Sequence, residues 1–93
     1  MALIILNLST TTDSSGKCLV SMDVGDTQNT GKTGRLKLHI GESRILEQEV
    51  TLRFPMQNVT FEVPGDGRNY TVKAVLICGD EKRELVQDLK FCG

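Results

Sequence analysis

The chain has 93 residues, which suits one domain spanning residues 1–93. Its 11 basic and 12 acidic side chains leave a net charge of −1, so no bulk field attracts nucleic acid or an anionic membrane. The apolar opening, Ala2–Leu6, is too short for a signal-peptide core or a membrane span. We therefore expect cytoplasmic synthesis without membrane insertion, followed in one scenario by incorporation into a particle.

Short segments rich in β-branched and alternating apolar residues recur along the chain, without a helical period of useful length. Clusters of glycine, proline, asparagine and aspartate separate them. This pattern indicates an all-β, antiparallel fold of six or seven strands in a sandwich or a barrel, and the fold class that we predict is a single sandwich of about seven strands. The predicted strands are Ala2–Leu8, Lys17–Val24, Arg35–Ile40, Arg44–Phe54, Val59–Val63, Asn69–Cys78 and Arg83–Cys92.

The third predicted strand carries a basic stripe of Arg35, Lys37 and His39. Pairing across the following turn sets Arg35 opposite Glu49 and Lys37 opposite Glu47, so the stripe has its own counterions. No aromatic residues are interleaved there to stack on bases. The pattern therefore favours a solvated sheet face, and we expect no nucleic-acid partner.

The last two predicted strands form one long hairpin around a turn at Gly79–Lys82. Alternation predicts a register that sets Tyr70 opposite Phe91 and Val75 opposite Val86. On the outer face of this hairpin, Val75, Ile77 and Val86 are expected to form an exposed apolar cluster. These three residues are the candidates for a contact with a protein partner or a second copy.

The segment before the sixth strand, Pro64-Gly-Asp-Gly-Arg-Asn-Tyr-Thr-Val72, resembles the tyrosine corner of immunoglobulin-like and fibronectin type III-like sandwiches. The resemblance implies that the hydroxyl of Tyr70 hydrogen-bonds back to the connection before it. The chain departs from the antibody pattern, since it has no tryptophan and carries Val72 two positions after Tyr70 where cysteine is expected. A fibronectin type III-like or divergent bacterial or viral version fits better.

Such a fold implies that Cys18 and Cys92 lie near one end and Cys78 at the other. The expected register puts Cys92 on the outer face, so pairing with Cys18 is geometrically possible but disfavoured, and we expect reduced thiols. None of the three has metal-ligand spacing, and His39 is distant from all of them in sequence. We expect no metal, no cofactor and no catalytic cysteine.

The resemblance also implies that the loop at residues 25–34 and the turn at residues 79–82 cluster at one end. We predict a non-catalytic structural or protein-binding module, such as a viral or phage particle component or a bacterial surface-assembly domain. The alternative is an immunoglobulin-like protease inhibitor that uses the 25–34 loop. An enzyme acting on a small molecule is not indicated, since one histidine and unpaired carboxylates make no catalytic constellation. The loop-end candidates are Asn29, Lys32, Thr33, Asp80 and Glu81.

Overall fold

The computed structural model of this chain describes residues 3–28, 31–53 and 55–92. Every regular element in these residues is a β-strand, and all strand pairings are antiparallel. The all-β, antiparallel prediction is thereby confirmed. The strands are β1 (Leu3–Thr12), β2 (Cys18–Asp26), β3 (Thr33–Ile40), β4 (Arg44–Thr51), β5 (Gln57–Val63), β6 (Asn69–Cys78) and β7 (Glu81–Lys90).

The seven strands form two sheets, one ordered β1-β2-β5 and the other β4-β3-β6-β7. Alternate residues of the inner strands are buried because successive side chains of a strand point to opposite faces. Both sheets contribute to one aliphatic core, an arrangement compatible with a sandwich. Its fully buried side chains include Val20, Met22, Val24, Leu36, Leu38, Val72, Ala74, Leu76 and Phe91.

The pairing of β3 with β4 follows the predicted register. Arg35 lies opposite Glu49 and Lys37 opposite Glu47. The three-residue turn between these strands begins at Gly41, whose φ of 61° is one that glycine adopts without steric cost.

The predicted pairing of the last two strands was wrong by two residues. Tyr70 lies opposite Leu89 and Val75 lies opposite Glu84, and the predicted partner of each lies two positions further along the chain. A shift of two residues keeps every side chain on its own face, whereas a shift of one would exchange the faces. The alternation of apolar residues therefore could not distinguish the two registers.

The turn between β6 and β7 decides that register. Cys78 pairs with Glu81, which leaves Gly79 and Asp80 as a two-residue loop. Gly79 has a φ of 59° at the first loop position, where a type II′ hairpin requires glycine. Loops of this kind match the twist of the flanking strands, so the shorter loop is favoured over the four-residue alternative.

A β-bulge extends β1 beyond its predicted end at Leu8. The register with β2 shifts between Leu6 and Ser9, and Asn7 adopts a φ of 59° in the left-handed region. Asparagine tolerates this conformation better than most residues. The extra residue resets the alternation, so that Leu8 joins the core and the strand continues to Thr12.

The expectation of reduced thiols was wrong for two of the three cysteines. Cys18 and Cys92 form a disulfide, with 5.5 Å between their Cα atoms. β7 ends at Lys90, so Cys92 lies beyond the strand and does not continue its outer face; Phe91 is fully buried, on the same side as Leu89. Cys78 is buried and forms no disulfide with another described residue, and its thiol donates to the Thr33 carbonyl oxygen at 3.7 Å.

Side chains bridge the two sheets along both of their open sides. On one side the Arg83 guanidinium donates from Nε to the Leu3 carbonyl oxygen at 3.1 Å. On the other, Gln48 of β4 donates from Nε2 to the Thr60 carbonyl oxygen of β5 at 2.8 Å. These bonds occupy backbone acceptors that an edge strand would otherwise offer to another chain.

Candidate functional site

Three of the five loop-end candidates lie close together. Lys32, Asp80 and Glu81 line the same concavity of about 350 Å³. Thr33 begins β3 and Glu81 begins β7, so both belong to strands, and the connection between β2 and β3 covers only residues 27–32. Asn29 lies outside the described residues.

The predicted apolar cluster on the outer face of the last hairpin is not uniformly exposed. Val75 is buried, Ile77 is half-buried, and Val86 is 55% exposed. The corrected register sets Val75 between Lys37 and Glu84, and the aliphatic stems of such long side chains cover apolar neighbours. Val86 thus remains as the exposed member, and a contact there stays a prediction.

A second exposed aliphatic residue lies on the same sheet face. Ile45 of the edge strand β4 is 59% exposed and pairs with His39 of β3. His39 pairs with Lys73 of β6, and Lys73 pairs with Val86 of β7. These four residues form a row across all four strands, with an aliphatic residue at each end and two basic residues between them. We call this set, Ile45, His39, Lys73 and Val86, the cross-strand row.

Sequence reasoning named Val86 and His39 but missed Ile45. Ile45 could have been found from the sequence, because the correctly predicted β3–β4 register places it opposite His39 on the outer face. Only the corrected hairpin register brings Val86 beside Lys73 and completes the row.

Most carboxylates near the row are already engaged. The Arg35 guanidinium donates to the Glu47 carboxylate, and this hydrogen bond lowers the pKa of Glu47. Lys82 ion-pairs with Glu84 at 3.0 Å, and its hydrogen bond is the main cause of the lowered pKa of Glu84. Asp88 accepts a hydrogen bond from the Thr71 hydroxyl at 2.9 Å.

The two basic side chains of the row have no such partner. Within the described part of the chain, no ion pair or side-chain hydrogen bond joins His39 or Lys73 to another residue. Glu84 interacts with both only through a longer-range coulombic attraction, which is secondary to its bond with Lys82. The centre of the face therefore presents two basic side chains without an ion-pair partner among the described residues, although Glu42 of the turn after β3 lines the same concavity.

A shallow concavity of about 550 Å³ adjoins the row. His39, Lys73 and Val86 form one part of its lining, and Tyr70, Thr71 and the turn after β3 form another. This volume falls in the range of ordinary ligand sites, but it lies on an open sheet face. Such a surface suits a side chain from a partner better than an enclosed small molecule.

The Tyr70 hydroxyl hydrogen-bonds back to the connection before it, as the resemblance implied, and its acceptor there is the Asp66 side chain. The same carboxylate also accepts the Arg68 N–H at 3.0 Å. The Tyr70 hydrogen bond is the main cause of the lowered pKa of Asp66, and it raises the pKa of Tyr70 itself. The Tyr70 ring packs against Phe91 with 4.5 Å between centroids. Tyr70 is therefore a fixed wall of the concavity.

The outer face of the other sheet carries a polar cluster around Asp23. Asn7 donates to its carboxylate at 2.8 Å and Asn58 at 3.2 Å, and these bonds lower the pKa of Asp23, with Asn7 the larger cause. Asn58 also donates to the Ser21 hydroxyl at 2.8 Å. These polar side chains hydrogen-bond to one another beside the bulge at Asn7, and we interpret the cluster as support for the bulged conformation.

Side chains that could ligate a metal ion are not grouped in the part of the chain that the structure describes. No group of three or more histidine, cysteine, aspartate or glutamate residues is placed there to hold a metal ion. Within the same residues, no helix is long and apolar enough to cross a bilayer.

Comparisons with known proteins add no relative to this picture. No protein-family model, curated protein or solved structure matches the chain.

Proposed function

We propose that this chain is a non-catalytic structural or protein-binding module that contacts its partner through the outer face of the four-stranded sheet. The observation that carries the proposal is the pair Ile45 and Val86, which are 59% and 55% exposed on one face of one sheet. Burying an aliphatic side chain of this size contributes about 1.5–3 kcal/mol, before association entropy is subtracted. A standard interface covers ~800 Å² per partner, so the two residues would be anchors within a larger contact.

The strand order supports a fibronectin type III-like version of the immunoglobulin-like sandwich. In the antibody constant-type fold, the fourth strand joins the sheet of the first, second and fifth strands. Here β4 pairs with β3 in the other sheet. Folds of this class commonly serve as adhesion, joint or decoration units, in keeping with the proposed structural role.

The disulfide supports a setting outside a reducing cytoplasm. Bridges such as Cys18–Cys92 persist in extracellular, periplasmic and virion-surface proteins, whereas cytosolic thiols are kept reduced. A viral or phage particle, or a bacterial surface assembly, provides such an environment. We propose these settings over a permanently cytosolic one.

The test combines assembly measurements with a matched pair of double variants. Ile45→Lys with Val86→Lys places two charges on the proposed face, where both side chains point away from the core. Leu6→Lys with Met56→Lys places the same charges on other exposed apolar residues, which are 44% and 40% exposed. Circular dichroism and thermal unfolding should show that both variants keep the fold.

We expect the first variant to lose incorporation into the native assembly, or to lose self-association in sedimentation, while the Leu6/Met56 control retains it. Equal loss in both variants would mean that added charge, and not the face, is responsible. Full retention in the Ile45/Val86 variant would refute the proposal. Loss caused only by changes in the loop at residues 27–32 would favour the protease-inhibitor alternative.

A further inference from the structure

We propose that the cross-strand row binds an extended, acidic segment of a partner protein, with the pattern aliphatic–x–acidic–x–aliphatic. This inference rests on the proposed function, because it uses the same sheet face. It adds the chemistry and spacing of the partner. The segment would cross the four strands, with its aliphatic side chains on Ile45 and Val86 and its carboxylate between His39 and Lys73.

The spacing of the row sets the length of the segment. Neighbouring strands lie about 4.8 Å apart, so the three gaps from β4 to β7 separate the ends of the row by about 14 Å. An extended chain rises about 3.3 Å per residue, and alternate side chains face the same way. Residues i and i+4 of such a chain lie about 13 Å apart and face Ile45 and Val86. Residue i+2 then lies over the two basic side chains.

The charge of the row sets the identity of the central residue. His39 and Lys73 are directly opposite each other in adjacent strands, and both side chains can donate a hydrogen bond to a carboxylate. Neither has an ion-pair or side-chain hydrogen-bond partner among the described residues, since the nearby Glu47 and Glu84 are held by Arg35 and Lys82. A carboxylate from a partner would supply the missing counterion.

The flanking residues favour a protein segment over nucleic acid. Ile45 and Val86 offer aliphatic contact and no stacking surface. The nearby aromatic ring, Tyr70, is packed against Phe91, and its hydroxyl is engaged by Asp66. The four residues of the row themselves therefore offer a base no phenylalanine, tyrosine or tryptophan ring to stack on.

The sequence of this chain argues against a second copy as the occupant. None of its 12 acidic residues has an apolar residue at both the second position before it and the second position after it. The required pattern must therefore come from a different chain. Self-association through the same face would leave His39 and Lys73 without the predicted carboxylate.

The experiment titrates the isotope-labelled full chain with three synthetic peptides and follows the backbone amide signals. The peptides share leucine at both ends and serine at the two intervening positions, and they carry glutamate, glutamine or lysine at the centre. We expect the glutamate peptide to bind about tenfold more tightly than the glutamine peptide, as for a hydrogen bond to a charged group. The shifted amides should be those of the cross-strand row.

Two variants test the assignment within that experiment. Lys73→Gln should remove the preference for glutamate over glutamine. Lys37→Gln makes the same charge change one row away and should keep the preference, because Lys37 lies opposite Glu47 and Val75. Added salt should narrow the preference in the wild-type chain.

Equal binding of the glutamate and glutamine peptides would overturn the inference, as would tighter binding of the lysine peptide. Shifts confined to the loop end, or no binding of any peptide, would also overturn it. The Ile45/Val86 assembly test uses no peptide, so its result separates failure of this inference from failure of the proposed function.

Discussion

The Cys18–Cys92 disulfide provides the sharpest test of the fold, and its magnitude follows from its position in the chain. The bridge joins residues separated by 74 positions, nearly the whole described chain. In the chain-entropy model, closing a loop of that length in the unfolded state contributes about 4–5 kcal/mol to the free energy of unfolding. Since small domains have about 5–15 kcal/mol in total, reduction should leave this one marginally stable.

The assay is urea unfolding with and without a reducing agent, in a Cys78→Ala background that removes the free thiol from both arms. Circular dichroism is the suitable probe because the chain has no tryptophan. We expect reduction to lower the unfolding midpoint strongly. Coincident midpoints would refute the reasoning, as would alkylation of both Cys18 and Cys92 in the native protein without a reductant.

Three further predictions concern the backbone and the tyrosine corner. Tyr70→Phe should raise the carboxyl pKa of Asp66, measured by NMR. Because the pKa of Asp66 is lowered in the folded state, the bond stabilises the fold above the ordinary carboxyl pKa, and this stabilisation is lost as pH falls through the lowered pKa. The free energies of unfolding of wild type and variant should therefore converge in acid. An unchanged Asp66 pKa would exclude the bond. Gly25→Ala should lower the free energy of unfolding in denaturant more than Gly79→Ala. A Cβ at Gly25 would meet backbone atoms, whereas a Cβ at Gly79 would enter open space and add only the strain of a positive φ. A larger loss of stability in Gly79→Ala would contradict this packing. Asn7→Val should destabilise more than Asn7→Gly, because both variants lose the bond to Asp23 but only valine is strained at the positive φ of residue 7. Equal stabilities of the two variants would show that the left-handed bulge is absent.

The fold class and most strand positions could be predicted because alternation reports directly which face of a strand is buried. The β3–β4 register was also accessible, because a short turn at Gly41 leaves one pairing that matches opposite charges. The register of the last hairpin could not be predicted from alternation, because registers two residues apart bury the same side chains. Only the backbone conformation of Gly79 distinguishes them.

The disulfide and the bulge were missed because each depends on a departure from a regular strand. Cys92 reaches Cys18 only because the chain leaves β7 after Lys90, which strand alternation cannot foresee. Asn7 shifts the alternation of β1 by one residue and thereby places Leu8 in the core.

The candidate surface could be predicted in part. Val86 followed from alternation, whereas its neighbours depended on the hairpin register. The predicted exposure of Val75 failed because a central strand is flanked on both sides by long side chains that cover it. The candidate surface is thus formed by four aligned strands, and it cannot be predicted from any single segment of the sequence.

The central claim, that the outer face of the four-stranded sheet is the contact surface, is tested most directly by site-specific photo-crosslinking in the native assembly. A photoreactive residue would be placed at Val86, at Asp80 in the loop end, or at Leu6 on the other sheet, since all three positions are exposed. We predict a discrete crosslinked product from Val86 and none from Leu6 or Asp80. A product from Asp80 or Leu6, with none from Val86, would contradict the account.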